Sequence, residues 1–324
     1  MFRTVISRFT TITLALTSSV VALHAQNREI LAEYRIGIVG KDQNNAIYQA
    51  AQLGATDAAR ELSRKYSIDV ELLALTPVLD QGESQATALA RLFIKDADGL
   101  IMSPEHSEAV RSAIEFALEQ RQSLVFFENI LEGIDPLAAV IANEFEAGRL
   151  AGAAMLSALP TGGRAAVLTT SNPTPEIEAR LQGVRSSLGF RRIETVVHCE
   201  PNYHSAVQAI VAAKEADRND LIKGWIFLGD WPLQGLPALP WAPGRMPAVA
   251  ITSSPSALIY VDQRYLDSLV VHPYYDWGYQ SVEILINQLY RNTPPENSVI
   301  TTEPIVVDFR NLESYREQWR QWQR

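Results

Sequence analysis

The feature that most constrains this chain is a rhythm. Short apolar runs alternate with longer amphipathic stretches from residue 34 almost to the C-terminus. Arg35-Ile36-Gly37-Ile38-Val39-Gly40 has the continuous apolar character of a strand buried on both faces. Over 44–65, Ile47, Ala51, Ala55, Ala58 and Leu62 recur at helical spacing. Strands are predicted next over 68–75, 99–102 and 124–127, with helices over 83–95 and 107–120. The rhythm then restarts, with strands over 139–142, 165–169, 193–198, 224–228 and 248–251 and helices over 144–159, 175–188 and 203–216. A helix over 274–290, a strand over 305–307 and a surface helix over 311–324 held by Trp319 and Trp322 complete it. The proline-rich segment 233–247 reads as an ordered, irregular loop. Helical crossovers between successive strands require parallel sheets covered on both faces. The chain has 324 residues, more than one core comfortably serves. The predicted fold class is therefore α/β, with two successive doubly wound parallel-sheet lobes.

Charge narrows the function classes. The formal net charge is −9. A phosphate backbone is repelled by such a surface, so nucleic acid is not expected as a partner. The N-terminus has two arginines before an apolar, hydroxyl-rich run that ends Val21-Ala22-Leu23-His24-Ala25. That is the layout of a secretory signal peptide over 1–25, and the run is too short for a comfortable membrane anchor. Without the leader, 26 basic residues face 37 acidic ones, a net charge of −11. No cysteine follows the apolar run to carry a lipid, and the single Cys199 has no partner for an intrachain disulfide. A soluble, acidic, exported protein is expected.

Motifs for chemistry are sparse. No Gly-x-Gly-x-x-Gly follows the first strand, and Gly37 to Lys41 lacks the spacing of a phosphate loop. Neither a Gly-x-Ser-x-Gly elbow nor a His-Glu-x-x-His helix occurs. His198-Cys199-Glu200 lacks a second pair to close a metal shell. No metal, cofactor or enzymatic activity is expected.

The strand ends are more informative, because open parallel sheets bind ligands at their carboxyl edges and two such sheets enclose a crevice. After the first strand, Asn45 and Tyr48 offer an amide and an aromatic, although Asn44 or Asn45 equally suits a helix N-cap. Glu128-Asn129 follows the fourth strand, able to accept from and donate to hydroxyls. Arg180 lies in the first half of a helix, where its fork could reach the crevice or pair with Glu176 or Glu178. Tyr203 opens a helix, Asp230-Trp231 ends a strand, Thr252 follows Ala250-Ile251, and His272 follows an apolar triplet. Carboxylates, amides and an arginine beside aromatic rings suit a polyhydroxylated small molecule. For Tyr48 or Trp231 taken singly, a place in the core is the plainer reading.

In this order the motifs resemble those of the type I periplasmic binding proteins of the ribose/galactose kind, over about 34–307. Asn44-Asn45-Ala46-Ile47-Tyr48 is similar to the family's Asn-x-aromatic-aromatic opening, and Arg180-Leu181-Gln182-Gly183-Val184 to its Arg-x-x-Gly-Phe motif. Gly148-Arg149-Leu150-Ala151-Gly152 resembles the Gly-x-x-Ala-Gly helix after the first hinge. Glu128-Asn129 stands where Asp-Arg is usual, Tyr203 at an aromatic position and Asp230 at an Asn/Asp. His272 stands at a hinge Gln. The chain departs from the pattern at Thr252, where an Asp is usual, and in the Trp/Pro-rich insert after Trp231. The resemblance implies lobes of 34–142 plus 273–303 and 143–272 plus 304–324, joined by a three-stranded hinge. It implies a monomeric periplasmic protein that closes on a sugar-like ligand for the membrane permease of an ABC importer. The same fold serves sensors for membrane histidine kinases or chemoreceptors. A secreted hydrolase using Glu128 and Asp230 as paired carboxylates is the more distant alternative.

Overall fold

The computed structural model describes residues 29–235, 239–252 and 254–322. The leader expected over 1–25 and the last two residues of the tail lie outside the described residues. In chain order the elements are β1 (Glu33–Val39), α1 (Ala46–Tyr66), β2 (Asp69–Ala74), α2 (Gln85–Ile94), β3 (Gly99–Met102), α3 (Glu108–Glu119), β4 (Ser123–Glu128) and β5 (Ala138–Ala142). They continue with α4 (Glu144–Ala158), β6 (Arg164–Thr170), α5 (Pro175–Leu188), β7 (Ile193–Cys199), α6 (Tyr203–Ala216), β8 (Ile222–Phe227) and β9 (Ala248–Ile251). The last are α7 (Leu258–Asp262), β10 (Ser268–Val271), α8 (Tyr274–Arg291), β11 (Val299–Thr302), β12 (Ile305–Asp308) and α9 (Leu312–Trp322).

The helices start where local chemistry dictates. Thr174 caps α5 by accepting from the Ile177 N–H, with Pro175 in the first turn, where no N–H is needed. Asn143 caps α4, and Glu144 and Glu146 complement the positive end of its dipole. Asn45 caps α1 by accepting from the Ile47 N–H. At the other end of α5, Gly189 turns the chain at φ +80.

The strands form two six-stranded sheets, ordered β11-β5-β4-β3-β1-β2 and β12-β10-β9-β8-β6-β7. All neighbours are parallel except β10 and β12, which pair antiparallel at the edge of the second sheet. The all-parallel expectation fails there because the chain enters β12 directly after β11, with no crossover helix to reverse it. Strands β10 and β11, and the short helix α7, of four or five residues each, are missing from the predicted elements. The chain passes between the sheets three times, after Ala142, after Val271 and after Thr302.

Three apolar clusters fill the layers. One lies between the first sheet and α2 with α3, and another between the second sheet and α4 with α5. The third is continuous across both sheets, running through α1, α8 and the aromatic face of α9. In α9 the rings of Trp319 and Trp322 pack edge to face, and they meet Tyr274 and Tyr275 of α8. In the segment after β8, Trp241 stacks on Trp225 and Phe227. Glycines set two tight helix crossings, α1 with α8 at Gly54 and Gly278 and α4 with α5, where a Cβ on Gly148 would overlap the Arg180 carbonyl oxygen and one on Gly183 the Phe145 carbonyl oxygen. Without those two hydrogens α4 and α5 could not lie backbone to backbone.

Candidate functional site

In each sheet the strand order reverses between the first strand of its unit and the third, at β1/β3 and at β6/β8. Such switch points leave a crevice beyond the carboxyl ends of the strands. Here the two crevices face one cleft of about 460 Å³, which deepens on the second-sheet side into a niche of about 110 Å³. Arg180 and His272 line both.

On the first-sheet side Glu128 ends β4 at φ +66, a left-handed conformation rarely adopted by a non-glycine residue and a mark of local strain. Its Oε2 accepts from the Tyr48 hydroxyl at 3.0 Å and the Ser103 hydroxyl at 2.5 Å, and pairs with Lys41 Nζ at 3.1 Å. Burial, reinforced by this carboxylate, pushes the Tyr48 hydroxyl well above the ordinary tyrosine range. Asn129 follows in the same wall.

On the second-sheet side the strongest contact joins two helices. Arg180 donates from Nε to Glu144 Oε2 at 2.6 Å and from Nη2 to Oε1 at 2.8 Å, while Nη1 donates to the Leu228 carbonyl at 2.8 Å. Three of the five guanidinium N–H groups are thereby used. Burial by itself would raise the Glu144 pKa, but the charge and paired hydrogen bonds of Arg180 outweigh it and hold the carboxyl well below its usual range. His272 Nε2 lies 3.3 Å from Glu144 Oε2 without the alignment of a hydrogen bond, and neither ring nitrogen makes one. The ring is 4% exposed and stacks at 6.2 Å on Trp277, whose Nε1 donates to Thr302 Oγ1. Asp230 accepts from Gln234 Nε2 at 3.0 Å, and burial raises its pKa. Thr252 Oγ1 accepts from the Ser254 N–H.

Of the ten residues singled out in the sequence, seven line this cleft and niche: Glu128, Asn129, Arg180, Asp230, Trp231, Thr252 and His272. Asn45 is exposed and spends its side-chain oxygen on capping α1. Tyr48 is 6% exposed, packed edge to face on Phe127, and reaches the cleft only through its bond to Glu128. Tyr203 lines a separate groove along α6, and its ring lies against Gly235. The ion pair weighed for Arg180 exists, but its partner is Glu144 on α4 rather than Glu176 or Glu178 on its own helix.

Lys41, Ser103, Glu144 and Trp277 were not singled out. Ser103 follows β3 directly and Lys41 follows β1 after one residue, so the strand-end criterion that selected Glu128 covers them too. Glu144 has a local signal only as a first-turn acid of α4, and nothing in the sequence aims it at Arg180. Buried Cys199 directs Sγ at the Thr169 carbonyl oxygen. Among the described residues no group of three or more His, Cys, Asp or Glu is placed to hold a metal, and no helix is long and apolar enough to cross a membrane. A larger depression of about 670 Å³ lies on the flank of the second sheet between α4 and β12, away from the strand ends.

The family model described as "Periplasmic binding protein domain" matches residues 36–292. No curated protein is a significant match to the sequence. Solved structures match over most of the chain. A periplasmic ribose ABC transporter protein from Conexibacter woesei is 19% identical, with a TM-score of 0.76, covering 91% of this chain and 99% of that one. An arabinose-binding protein from Geobacillus stearothermophilus is 17% identical with a TM-score of 0.72, covering 87% and 99%. A solute-binding protein from Actinobacillus succinogenes with bound D-allose is 17% identical with a TM-score of 0.65, covering 87% and 100%. At these identities the likeness establishes the two-sheet fold.

Proposed function

This chain belongs to the periplasmic binding protein family, and from that premise we propose that it is a solute-binding protein that closes two lobes on a sugar or sugar-like polyol. The observation that carries the reading is convergence. Residues at the carboxyl ends of strands from both sheets, Glu128, Asn129, Asp230, Thr252 and His272, are joined by Arg180 from α5 and by Trp277 in lining one cleft and its niche. Such groups read hydroxyls, and aromatic rings beside them suit the apolar face of a sugar ring. The proposed lobes are 34–142 plus 273–303 and 143–272 plus 304–324, with the three chain passages as the hinge. A ligand touching both lobes stabilises the closed form by its differential affinity for it.

The protein is proposed to be exported by its leader, to act as a monomer without a lipid anchor, and to hand its ligand unchanged to an ABC importer's membrane permease. The solved relatives named for ribose, arabinose and D-allose support a sugar as the first class to test. The test is a sugar and polyol panel against protein lacking 1–25, read by thermal shift and calorimetry, with small-angle scattering before and after ligand. Saturable binding with a smaller radius of gyration is expected. A panel that gives neither a thermal shift nor compaction, or a sugar consumed on incubation, overturns the reading.

A further inference from the structure

The niche beyond β8, β9 and β10 is too small for a sugar ring. At roughly 30 Å³ per water-sized group, its volume of about 110 Å³ holds three or four heavy atoms, one substituent of a ligand. Its walls are specific. Trp231 supplies an indole seated against Gly229, where a Cβ would meet the ring at 2.7 Å. His272 presents an imidazole that is 4% exposed, with Nε2 3.3 Å from Glu144 Oε2 and no hydrogen bond on Nδ1. Asp230 supplies a half-buried carboxylate whose side-chain partner is the neutral amide of Gln234.

Charge balance decides what fits. In the cleft, Lys41 is paired with Glu128, and Arg180 is held in two-pronged fashion by Glu144. Among the described residues no cation lies within ion-pair distance of Asp230; Arg180 lines the same niche and attracts it at longer range, but its guanidinium is committed to Glu144, so Asp230 keeps no charged partner of its own. A hydroxyl would fill the space and leave that charge uncompensated. An ammonium group compensates it, has the unbonded Nδ1 of His272 beside it as an acceptor, and shares the niche with an indole, which attracts cations.

We propose that the niche takes a protonated primary amine, so that the ligand is an amino sugar or amino polyol rather than a neutral sugar. The inference rests on the sugar-binding reading above. The test compares glucosamine, galactosamine and mannosamine with their hydroxyl and N-acetyl counterparts by calorimetry at neutral pH. At least one amine is expected to bind about tenfold or more tighter than both its counterparts. In Asp230→Asn, which keeps the Gln234 contact, that preference should collapse to parity while the ligand-free melting temperature stays near wild type. Equal or tighter binding of the neutral counterparts overturns the amine inference and leaves the sugar reading standing. An undiminished preference in Asp230→Asn overturns the niche assignment. Failure of all three series to bind while another sugar or polyol of the wider panel binds overturns the amine inference alone, and failure of the whole panel removes both readings.

Discussion

Replacing Glu144 by Gln tests the account of the cleft most directly. Glu144 and Arg180 are 14% and 17% exposed, and their two hydrogen bonds are 2.6 and 2.8 Å long. Removing one partner of a buried pair leaves the other charge desolvated and uncompensated, at a cost of about 3–5 kcal/mol. Gln keeps one acceptor oxygen and Arg180 keeps the Leu228 carbonyl, so the lower end, about 3 kcal/mol, is expected. That corresponds to a fall in melting temperature of roughly 5 °C for a chain of this length.

The pH dependence has a fixed sign. A carboxyl whose folded pKa is depressed contributes stability in full above its unfolded value of about 4.3, and loses it as pH falls from there toward the folded value. The gap between wild type and Glu144→Gln should therefore be widest near neutrality and shrink by about 1.4 kcal/mol per pH unit below that value. Urea unfolding at several pH values, followed by the fluorescence of buried Trp225 in β8 and by circular dichroism, measures it. The double variant Glu144→Leu/Arg180→Met, which replaces the pair by apolar groups, should recover most of the loss. A gap below about 1 kcal/mol at neutral pH, or one unchanged into acid, would refute the reasoning.

Three further outcomes follow from the packing. Gly148→Ala puts a Cβ onto the Arg180 carbonyl, so α4 and α5 must separate at a cost of about 3 kcal/mol, and an unchanged thermal melt would show that the crossing is not tight. Tyr48→Phe removes one donor from the Glu128 carboxylate and should cost about 0.5–1.5 kcal/mol in urea unfolding; a stabilised variant would contradict that bond. Trp319→Ala empties a site between α9 and Tyr274 and should cost about 3–5 kcal/mol, while a loss below about 1 kcal/mol would mean that α9 is not part of the core.

How far the site could be foreseen differs residue by residue. Glu128, Asp230, Thr252 and His272 each follow a strand, so the rule that ligands gather at carboxyl edges picks them out with no knowledge of the partners. Asn45 shows the limit of that rule, because the same position after a strand is also the start of a helix, and there the N-cap takes the side chain. Tyr203 opens α6 in register with the pattern, yet its ring settles against Gly235 in another groove. The edge strand β12 shows a second limit, since its direction depends on what precedes it rather than on its own four residues.

By itself the sequence determined most of the elements. Apolar periodicity, caps such as Thr174-Pro175 and stops such as Gly189 act over a few residues, so α5, α6, β3 and β9 are legible to the residue. The tertiary structure alone decided which charges meet. Glu144 reaches Arg180 across 36 positions and Tyr48 reaches Glu128 across 80. Those meetings depend on how closely helices and strands approach, as where Gly148 and Gly183 admit α4 to α5, and close approach is a property of two distant surfaces that neither segment encodes alone.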